Sequence, residues 1–402
     1  MRPEIPKIWL AEPTSQENQR KLTDALHGKP IKLSLGYVKS RLKLIRQHSI
    51  ENMALLAEGF KDAVKNFQGV KLIEANDAKE AAKFVSKIAE DNRTIGVNNS
   101  SVVNELRREL EQENLQIVDT YYDQYVSKEK GGEIKYYWQL PEKFPEITWD
   151  SFKFREFDYG QFLKTKSSSE IGLGILGVNA ASAQDGAIFL LQHSQNISQK
   201  ILEETNKIAF IIGIDKIVKD AEDAAFQTKC VGLFGVERIM LGLSAALSVK
   251  ENQPQKTLSN PNRPRQGSDT KEVYVILLDN HRKDVLKSEF RELLYCIGCG
   301  ACLKLCPRYA FSRKNQPYNP YMWNPKEIMF TTFTIGCQIA EEVGLYECTL
   351  CGNCKRLCPL EIPLDDFMLK MRGICDERGI VPKIHLNLYE RIKKYGNPYR
   401  TD

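Results

Sequence analysis

Hydrophobic side chains follow different periods in different parts of this sequence. Up to about residue 68, apolar residues such as Met53, Leu56 and Phe60 recur at steps of three and four, which is the period of an amphipathic helix. We therefore predict an N-terminal helical region over residues 1–68.

Short apolar runs separated by amphipathic stretches follow from residue 69 to residue 279. The runs are VKLIEA at 70, TIGV at 94, LQIVDT at 115, GILGVNAA at 174, AIFLLQ at 187, KIAFIIGI at 207 and VYVILLD at 273. Such runs are typical of buried strands, and the stretches between them are typical of helices. The alternation predicts an α/β domain with a largely parallel sheet over residues 69–285. Residues 252–270, rich in Pro, Asn and Gln, are expected to form an exposed loop.

Capping residues place the starts of three helices. Asp77 followed by Glu80 indicates a capping box. The sequence NPKE, which begins at Asn324, predicts an N-cap, a proline at the first helical position and an acidic third position, for a helix that runs to about residue 343. Pro363 is expected to open a further helix that ends near Gly379.

Eight of the eleven cysteines form two copies of one pattern, C-x2-C-x2-C-x3-C-P. This run holds [4Fe-4S] clusters, and in two-cluster proteins the fourth cysteine of each run binds the other cluster. We therefore predict that Cys296, Cys299, Cys302 and Cys358 hold cluster one, and that Cys348, Cys351, Cys354 and Cys306 hold cluster two. Gly298, Gly300 and Gly352 suit a loop whose backbone approaches a cluster closely.

Zinc is the alternative for a cysteine-rich segment. Structural zinc takes four tetrahedral ligands, usually from two separated C-x2-C pairs, and this leaves the third cysteine of each run without a role. The spacing therefore favours iron–sulfur clusters. We place a helical cluster domain over residues 286–380 and a tail over residues 381–402. The remaining cysteines, Cys230, Cys337 and Cys375, are expected to pack in the core.

Composition and charge narrow the class of protein. The chain has 402 residues, of which 42% are hydrophobic, enough for more than one packed domain. No apolar stretch approaches the roughly 18 residues of a membrane span, so no direct membrane span is expected, and the N-terminus has no signal-peptide core.

Thiolate ligands need a reducing compartment, so we expect a cytoplasmic protein. The formal net charge is +5 with interspersed signs, and no nucleic-acid partner is expected.

Several segments resemble one known family. The strand VYVILLDN with the following HRKDVLKSEFRELLYCIGCGACLKLCP, and the segments GILGVNAASAQDGAIFLLQHSQN and GIDKIV, resemble the iron–sulfur B subunit of the lactate-utilisation complex. The resemblance implies a LUD domain of the NagB/RpiA/CoA-transferase-like type, followed by an α-helical ferredoxin domain with two [4Fe-4S] clusters. The segments NPYMWNPKEIMFTTFTIG and GNPY also resemble the C subunit of heterodisulfide reductase.

The resemblance also implies partners. In fused relatives, GNP-type sequence leads into a CCG domain with paired cysteines, and this chain has no Cys-Cys pair. A separate CCG-domain subunit is therefore expected, together with a second LUD protein or a flavoprotein subunit.

A candidate LUD pocket is implied by polar residues at the ends of predicted strands. Its candidate lining residues are Asn98, Asn99, Ser100, Ser101, Gln184, Asp185 and Asn196, and the residues Asn179, Asp279, Asn280 and Arg282 match further polar positions of the family. Ligands bind at the carboxyl ends of parallel strands, but Ser and Asn also cap helices or occupy turns. The chain departs from the family here, because residues 98–102 replace a Lys-Ser-x-Ser-Met turn and Gln184 replaces a Glu.

No catalytic residue follows from the sequence. His193 and His281 are the histidines nearest the strand ends, but the family has other residue types there, which argues against a general base. The spacing G-x-G-x-x-G occurs at residues 172–177, but it overlaps a predicted strand and is not the loop between a strand and a helix that binds dinucleotides. The chain has no P-loop lysine motif either, so the usual flavin, nicotinamide and ATP sites are not indicated.

These patterns predict an electron-transfer subunit of a multi-subunit oxidoreductase that oxidises a 2-hydroxyacid such as lactate or glycolate. One alternative is an electron-transfer subunit similar to the C subunit of heterodisulfide reductase. It would deliver electrons to a CCG-domain subunit that reduces a disulfide or a quinone. The other is a LUD-domain enzyme of the CoA-transferase or isomerase type with structural clusters. A transferase needs a nucleophile, and the loss of the family's Glu at Gln184 weakens that alternative.

Overall fold

The structure of the chain is a computed structural model that describes residues 6–13, 35–98, 100–119, 152–156, 171–191, 205–234, 272–303, 305–309 and 324–400. The strands are β1 (Ile8–Pro13), β2 (Val70–Ala75), β3 (Thr94–Val97), β4 (Gln116–Asp119), β5 (Phe152–Glu156), β6 (Leu173–Gly177), β7 (Ala180–Ser182), β8 (Ile188–Leu191), β9 (Lys207–Gly213), β10 (Ile217–Val218) and β11 (Glu272–Leu278).

The helices are α1 (Leu35–Glu51), α2 (Met53–Lys65), α3 (Ala78–Ala89), α4 (Ser101–Gln112), α5 (Ala221–Phe234), α6 (Arg282–Lys287), α7 (Pro325–Ile335), α8 (Asn353–Leu357), α9 (Leu364–Glu377) and α10 (Lys383–Tyr395). Short 3-10 helices lie at Ile214–Lys216, Arg291–Tyr295, Ala301–Leu303 and Cys337–Ile339.

The strands form two sheets. The first has six strands in the order β2-β11-β9-β6-β3-β4, and all of its pairs are parallel. The second has five strands in the order β10-β7-β8-β1-β5, with both parallel and antiparallel pairs. All seven apolar runs form strands as predicted, and GILGVNAA contributes to both β6 and β7. The largely parallel α/β domain is therefore confirmed, and the mixed sheet is an addition to it.

The start of the chain differs from the helical region predicted for residues 1–68. Residues 8–13 form β1, which pairs in parallel with β8 and antiparallel with β5. Ile8 and Leu10 are buried while Trp9 between them is half-buried, which is the alternation of a strand. The helical prediction is correct for α1 and α2, where Met53, Leu56 and Phe60 all face the core.

Two of the predicted helix starts have the expected cap. The Asp77 side chain accepts a hydrogen bond from the Glu80 backbone N–H at 2.7 Å, but the Glu80 carboxylate accepts from Asn76 rather than from Asp77, so only half of that capping box forms. The box at Asn324 is complete. Its helix, α7, ends at Ile335 and not near residue 343, because Gly336 adopts a φ of +114° and a 3-10 turn follows.

The third helix start is also where it was expected. Helix α9 follows Pro363, and its last residue lies two positions before Gly379, which has a φ of +70°.

Cys230, Cys337 and Cys375 are buried, as predicted for packing residues. The predicted loop at 252–270 lies outside the described residues. None of the helices in the described ranges is long and apolar enough to cross a membrane.

One hydrophobic core joins the mixed sheet to the helical C-terminal region. It contains residues of β1, α1, α2 and β8, and it continues through the 3-10 helix at Arg291–Tyr295 into α7 and α9. Phe290 lies at the junction, with ring centroids 6.2 Å from Phe333 and 5.4 Å from Phe367 in edge geometry. The core therefore crosses the boundary predicted near residue 285, and it fixes the cysteine loops against the α/β region. A separate core covers the α3 and α4 side of the parallel sheet.

Candidate functional site

The two cysteine runs form similar loops. Gly298 and Gly300 have φ values of +75° and +71°, and the matching positions Leu350 and Gly352 have +53° and +72°. Each loop turns a backbone N–H toward the sulfur of its first cysteine, from Gly298 to Cys296 at 3.4 Å and from Leu350 to its cysteine at 3.5 Å. Backbone turns with left-handed residues form concavities that bind anions, iron–sulfur clusters among them.

Four cysteines from both runs line a single cavity. The first three of the second run, Cys348, Cys351 and Cys354, meet there with Cys306, the last of the first run. The cavity contains about 460 Å³ of space, part of which is open to solvent. These are the four residues predicted to hold cluster two, so the arrangement supports the crossing of the fourth ligand.

The other four cysteines also lie close enough to interact electrostatically. Burial raises the pKa of Cys302 well above its ordinary value, and neighbouring Cys296, Cys299 and Cys358 raise it further. Burial and Cys296 likewise raise the pKa of Cys358. The fourth cysteine of the second run therefore lies near the first three of the first run, as the prediction for cluster one requires. Because Cys354 also acts on Cys302, the two groups of thiols are neighbours.

The ionisation of these thiols indicates what the loops can hold. Burial raises the pKa of Cys354 to about 12, and the nearby carboxylate of Asp365 raises it as well. Several thiolates cannot share such a site unless positive charge compensates them, and the iron core of a cluster supplies that charge. In the part of the chain that the structure describes, no three His, Cys, Asp or Glu side chains converge as they would around a single metal ion. A cubane differs from such a site, because each of its thiolates binds a different iron. The residues therefore fit two [4Fe-4S] clusters.

The two groups differ in their exposure. Cys299 and Cys358 are buried, whereas Cys351 is exposed. Leu305 and Leu350, which flank the ligands of the second group, are 53% and 36% exposed. The other two cluster-one ligands are partly buried, and cluster two has one buried, two partly buried and one exposed ligand, so the cluster-two side is the more exposed of the two.

The strand-end residues near α4 serve internal contacts. Asn98 holds the end of β6, since its side chain donates to the Gly177 carbonyl at 3.0 Å and accepts from the Gly177 N–H at 2.8 Å. Ser100 is the N-cap of α4 without a side-chain cap bond, and its hydroxyl fills the space that a Cβ at Gly177 would need. Ser101 donates to the Glu327 carboxylate at 2.5 Å. The ferredoxin-side helix α7 therefore reaches this edge of the parallel sheet.

The remaining pocket candidates lie elsewhere. Gln184 and Asp185 are exposed in the turn between β7 and β8, which belong to the mixed sheet, and Asp185 accepts a hydrogen bond from the Ala187 N–H at 3.2 Å. The structure therefore places them in a turn and does not join them to the residues around Asn98. Asn99 and Asn196 lie outside the described residues, so their role stays a prediction.

The other polar positions also have local roles. Asn179 accepts a hydrogen bond from the Leu191 N–H, and Asp279 accepts one from the Lys283 N–H. His281 is exposed and contacts Asp284 at 3.0 Å. Asn280 and Arg282, in contrast, belong to a buried network. His193 lies outside the described residues.

That buried ionic network was not predicted from the sequence. Arg282 binds the Glu105 carboxylate at 2.9 Å and also contacts Asp215, and all three side chains are at most 5% exposed. Lys326 of α7 lies 3.5 Å from Glu105, which also accepts a hydrogen bond from Asn280. Burial alone would raise the pKa of Asp215, but Lys216 and Arg282 hold that pKa well below its ordinary value. Asp215 belongs to the segment GIDKIV, which carries part of the family resemblance.

The network continues to the first cysteine loop. Lys216 donates to the backbone carbonyl of Cys296 at 2.5 Å. Arg46 of α1 donates to the carbonyls of Leu294 and Tyr295 at 2.7 and 3.1 Å. Charged side chains of the α/β region and of the N-terminal helix thus hold the backbone that leads into the loop.

Comparisons with known proteins agree with this division of the chain. Residues 57–233 match the model of the LUD domain, and residues 292–362 match that of the 4Fe-4S dicluster domain. The chain is similar to lactate utilization protein B of Bacillus cytotoxicus, with 25% identity over 350 residues that cover 83% of this chain and 71% of the relative. It is also similar to lactate utilization protein B of Bacillus thuringiensis, with 25% identity over 358 residues covering 84% and 72%. No solved structure matches the chain.

The chain therefore contains a LUD domain followed by an iron–sulfur domain of the dicluster type. The resemblance to the lactate-utilisation iron–sulfur proteins is confirmed, and so is the order of an α/β domain and a helical ferredoxin domain.

Proposed function

We propose that this chain is the iron–sulfur electron-transfer subunit of a multi-subunit oxidoreductase that oxidises a 2-hydroxyacid such as lactate or glycolate. The observation that carries the proposal is the cavity where Cys306 joins the first three cysteines of the other run. That crossing is the ligand pattern of proteins with two [4Fe-4S] clusters. The two relatives named lactate utilization protein B support the substrate class.

The residues of the chain bind and separate two redox centres. When bound, a [4Fe-4S] cluster accepts and releases one electron. All four cysteines of cluster one are buried or partly buried, whereas the exposed Cys351 brings cluster two closer to the surface. We place the exchange of electrons with a partner at the cluster-two side. Because thiolate ligands require reducing conditions, we place the protein in the cytoplasm.

A partner surface is available beside the second cysteine loop. None of the residues of α10 is buried, and its exposed apolar side chains are Ile384, Leu386, Tyr389 and Ile392; we call them the α10 face. The His385 ring packs on the edge of Tyr346 at 5.5 Å, and the Tyr346 hydroxyl donates to the Ile380 carbonyl at 2.6 Å. Tyr346 precedes the first cysteine of the second run by two residues, so the α10 face lies near the exposed cluster.

Charge indicates the chemistry of that partner. Residues 383–402, which include α10, carry the cations Lys383, Arg391, Lys393, Lys394 and Arg400 against the two carboxylates of Glu390 and Asp402. Such a helix suits a partner that presents an apolar patch with an acidic rim. We place the CCG-domain subunit on this face and expect a second LUD protein or a flavoprotein subunit in the same complex.

No specific observation favours the transferase alternative. Two buried carboxylates lie at the edge of the parallel sheet in the described residues: Glu105 is bound by Arg282, Asn280 and Lys326, and Asp215 is bound by Arg282 and Lys216. A carboxylate that is bound by cations and hydrogen-bond donors in this way is a weak nucleophile.

Charges placed on the α10 face are expected to separate the partner from this chain. In the expression host that makes the whole complex, the double variant Ile384→Asp, Ile392→Asp should lose at least about tenfold of the copurified partner, because two carboxylates would repel an acidic surface. Deleting residues 386–402 should have the same effect, with iron content unchanged. The matched control is Leu44→Asp on α1, which is 66% exposed and should keep the partner.

The same preparations test whether the chain needs a partner. Anaerobic addition of lactate or glycolate should reduce the clusters of the complex, and it should not reduce those of the isolated chain. Reduction of the isolated chain by either acid would contradict the proposal, because the chain would then be the dehydrogenase itself. Retention of the partner by both α10 variants would place the interface elsewhere.

A further inference from the structure

The region next to the cluster-one ligands has an excess of buried positive charge. Its buried cations are Arg46, Lys216, Arg282 and Lys326, and its carboxylates are Asp215, Glu105 and Glu327. The cations outnumber the carboxylates even when all three acids are ionised. Burial of unbalanced charge is costly, so an anionic group is expected nearby.

Two of these cations approach the first cysteine loop from outside the ferredoxin domain. Lys216, on the 3-10 turn after β9, donates to the Cys296 carbonyl at 2.5 Å, and its side chain is 10% exposed. Arg46, on α1, is fully buried and donates to the two carbonyls that precede Cys296. Burial lowers the pKa of both side chains, whereas the nearby Asp215 carboxylate and the Cys296 sulfur raise it, so both cations interact electrostatically with Cys296.

The second cysteine loop has a more even balance of charge. Arg372 donates to the Cys348 carbonyl at 2.5 Å, which parallels the contact of Lys216 in the first loop. Asp365, however, lines the same cavity, and its Oδ1 is a buried oxygen without a hydrogen-bond partner. Arg372 and Asp365 therefore offset each other near cluster two, and Arg308, which also lines the cavity, is paired with Glu347 at 2.7 Å.

We propose that Lys216, assisted by Arg46, raises the reduction potential of cluster one. Reduction adds one electron to the cluster while its four thiolates keep their charge, so the negative charge of the site grows by one unit. A buried cation stabilises that extra charge, and solvent screens it weakly. Cluster potentials respond to net charge and to hydrogen bonds around the ligands. The LUD domain would then act on electron transfer through a positioning residue of its own, Lys216.

The inference rests on the proposed function, and a redox titration of the full-length chain separates the two. The anaerobically reconstituted protein is titrated with dithionite, and the paramagnetic signal of each reduced cluster is followed by electron paramagnetic resonance. At a fixed potential, Lys216→Met should decrease the ratio of reduced to oxidised cluster one by about tenfold, which is about 59 mV for one electron. The titration of cluster two should not move.

Two further variants make the result specific. Lys216→Arg keeps the charge and should restore most of the wild-type potential. Lys219→Met removes a cation three residues further along that is 65% exposed, and it should leave both clusters unchanged. An unshifted cluster one in Lys216→Met, or an equal shift of both clusters, would overturn the inference while leaving the electron-transfer function intact. A chain that binds no iron would instead defeat the proposed function.

Discussion

Replacing Cys358 by alanine is expected to remove cluster one, although Cys358 lies in the second run of the sequence. Iron should fall from about eight to about four atoms per chain, since each [4Fe-4S] cluster carries four. The physical reason is the position of Cys358, which lies near Cys296 and Cys302. Cys230→Ala is the matched control, because it removes a buried cysteine outside both runs and should keep all of the iron.

A double variant decides which cluster Cys358 serves. If Cys296 and Cys358 hold the same cluster, then Cys296→Ala combined with Cys358→Ala should still retain about four irons. If Cys358 instead belongs to the cluster of its own run, the double variant would lose both clusters. A chain without iron in the double variant, with about four irons in each single variant, would reject the crossed pairing.

Arg282→Met is expected to destabilise the protein by about 3–5 kcal/mol. The variant leaves Glu105 and Asp215 without the cation that binds both of them, and both carboxylates are almost fully buried. Burial alone would lower the pKa of Arg282, but the two carboxylates raise it above its ordinary value, so the guanidinium is charged. In thermal unfolding of the anaerobic holoprotein at one scan rate, the midpoint should fall on the order of 10 °C.

Two variants control for this effect. Lys283→Met removes the next cation in the sequence, which is 58% exposed and 3.6 Å from Asp279, and its effect should stay below about 0.5 kcal/mol. Arg282→Lys keeps the charge but loses the forked geometry, so its midpoint should lie between those of the wild type and Arg282→Met. An Arg282→Met protein that melts within about 2 °C of Lys283→Met would show that the network contributes little.

The parallel sheet was predictable because its central strands β6, β9 and β11 are buried on both faces. Such strands appear as continuous apolar runs, and β9 and β11 are almost entirely buried. The mixed sheet was only partly predictable. Strand β1 has six residues near the N-terminus, and its partner β8 begins 180 positions later, so no local signal marks the pairing.

The helical period of the apolar residues did not predict where α7 ends, because buried apolar residues continue beyond its last turn. The apolar series after Phe330 continues through Cys337, Ile339 and Val343, all of them buried, so the sequence suggested one helix to about residue 343. The interruption at Gly336 depends on a backbone conformation that the pattern of side chains does not reveal. In the tail, the same reasoning missed α10, where Ile384, Leu388 and Ile392 follow at steps of four.

The cluster ligands lie close together in the sequence, whereas the residues of the charged network lie far apart in it. Each cysteine loop is encoded within eleven residues, so spacing alone identified it. Glu105, Asp215 and Lys326 are separated by more than one hundred residues each, and charged residues usually lie at the surface. Only the fold brings them together; the sequence singled out Asn280 and Arg282 as polar strand-end positions but did not indicate their buried partners.

The most direct test of the account is the metal and sulfide content of the full-length chain purified without oxygen. Two [4Fe-4S] clusters predict about eight iron atoms and about eight acid-labile sulfides per chain. Zinc at about one or two equivalents, with neither iron nor sulfide after anaerobic reconstitution, would contradict the central claim that both cysteine runs hold iron–sulfur clusters.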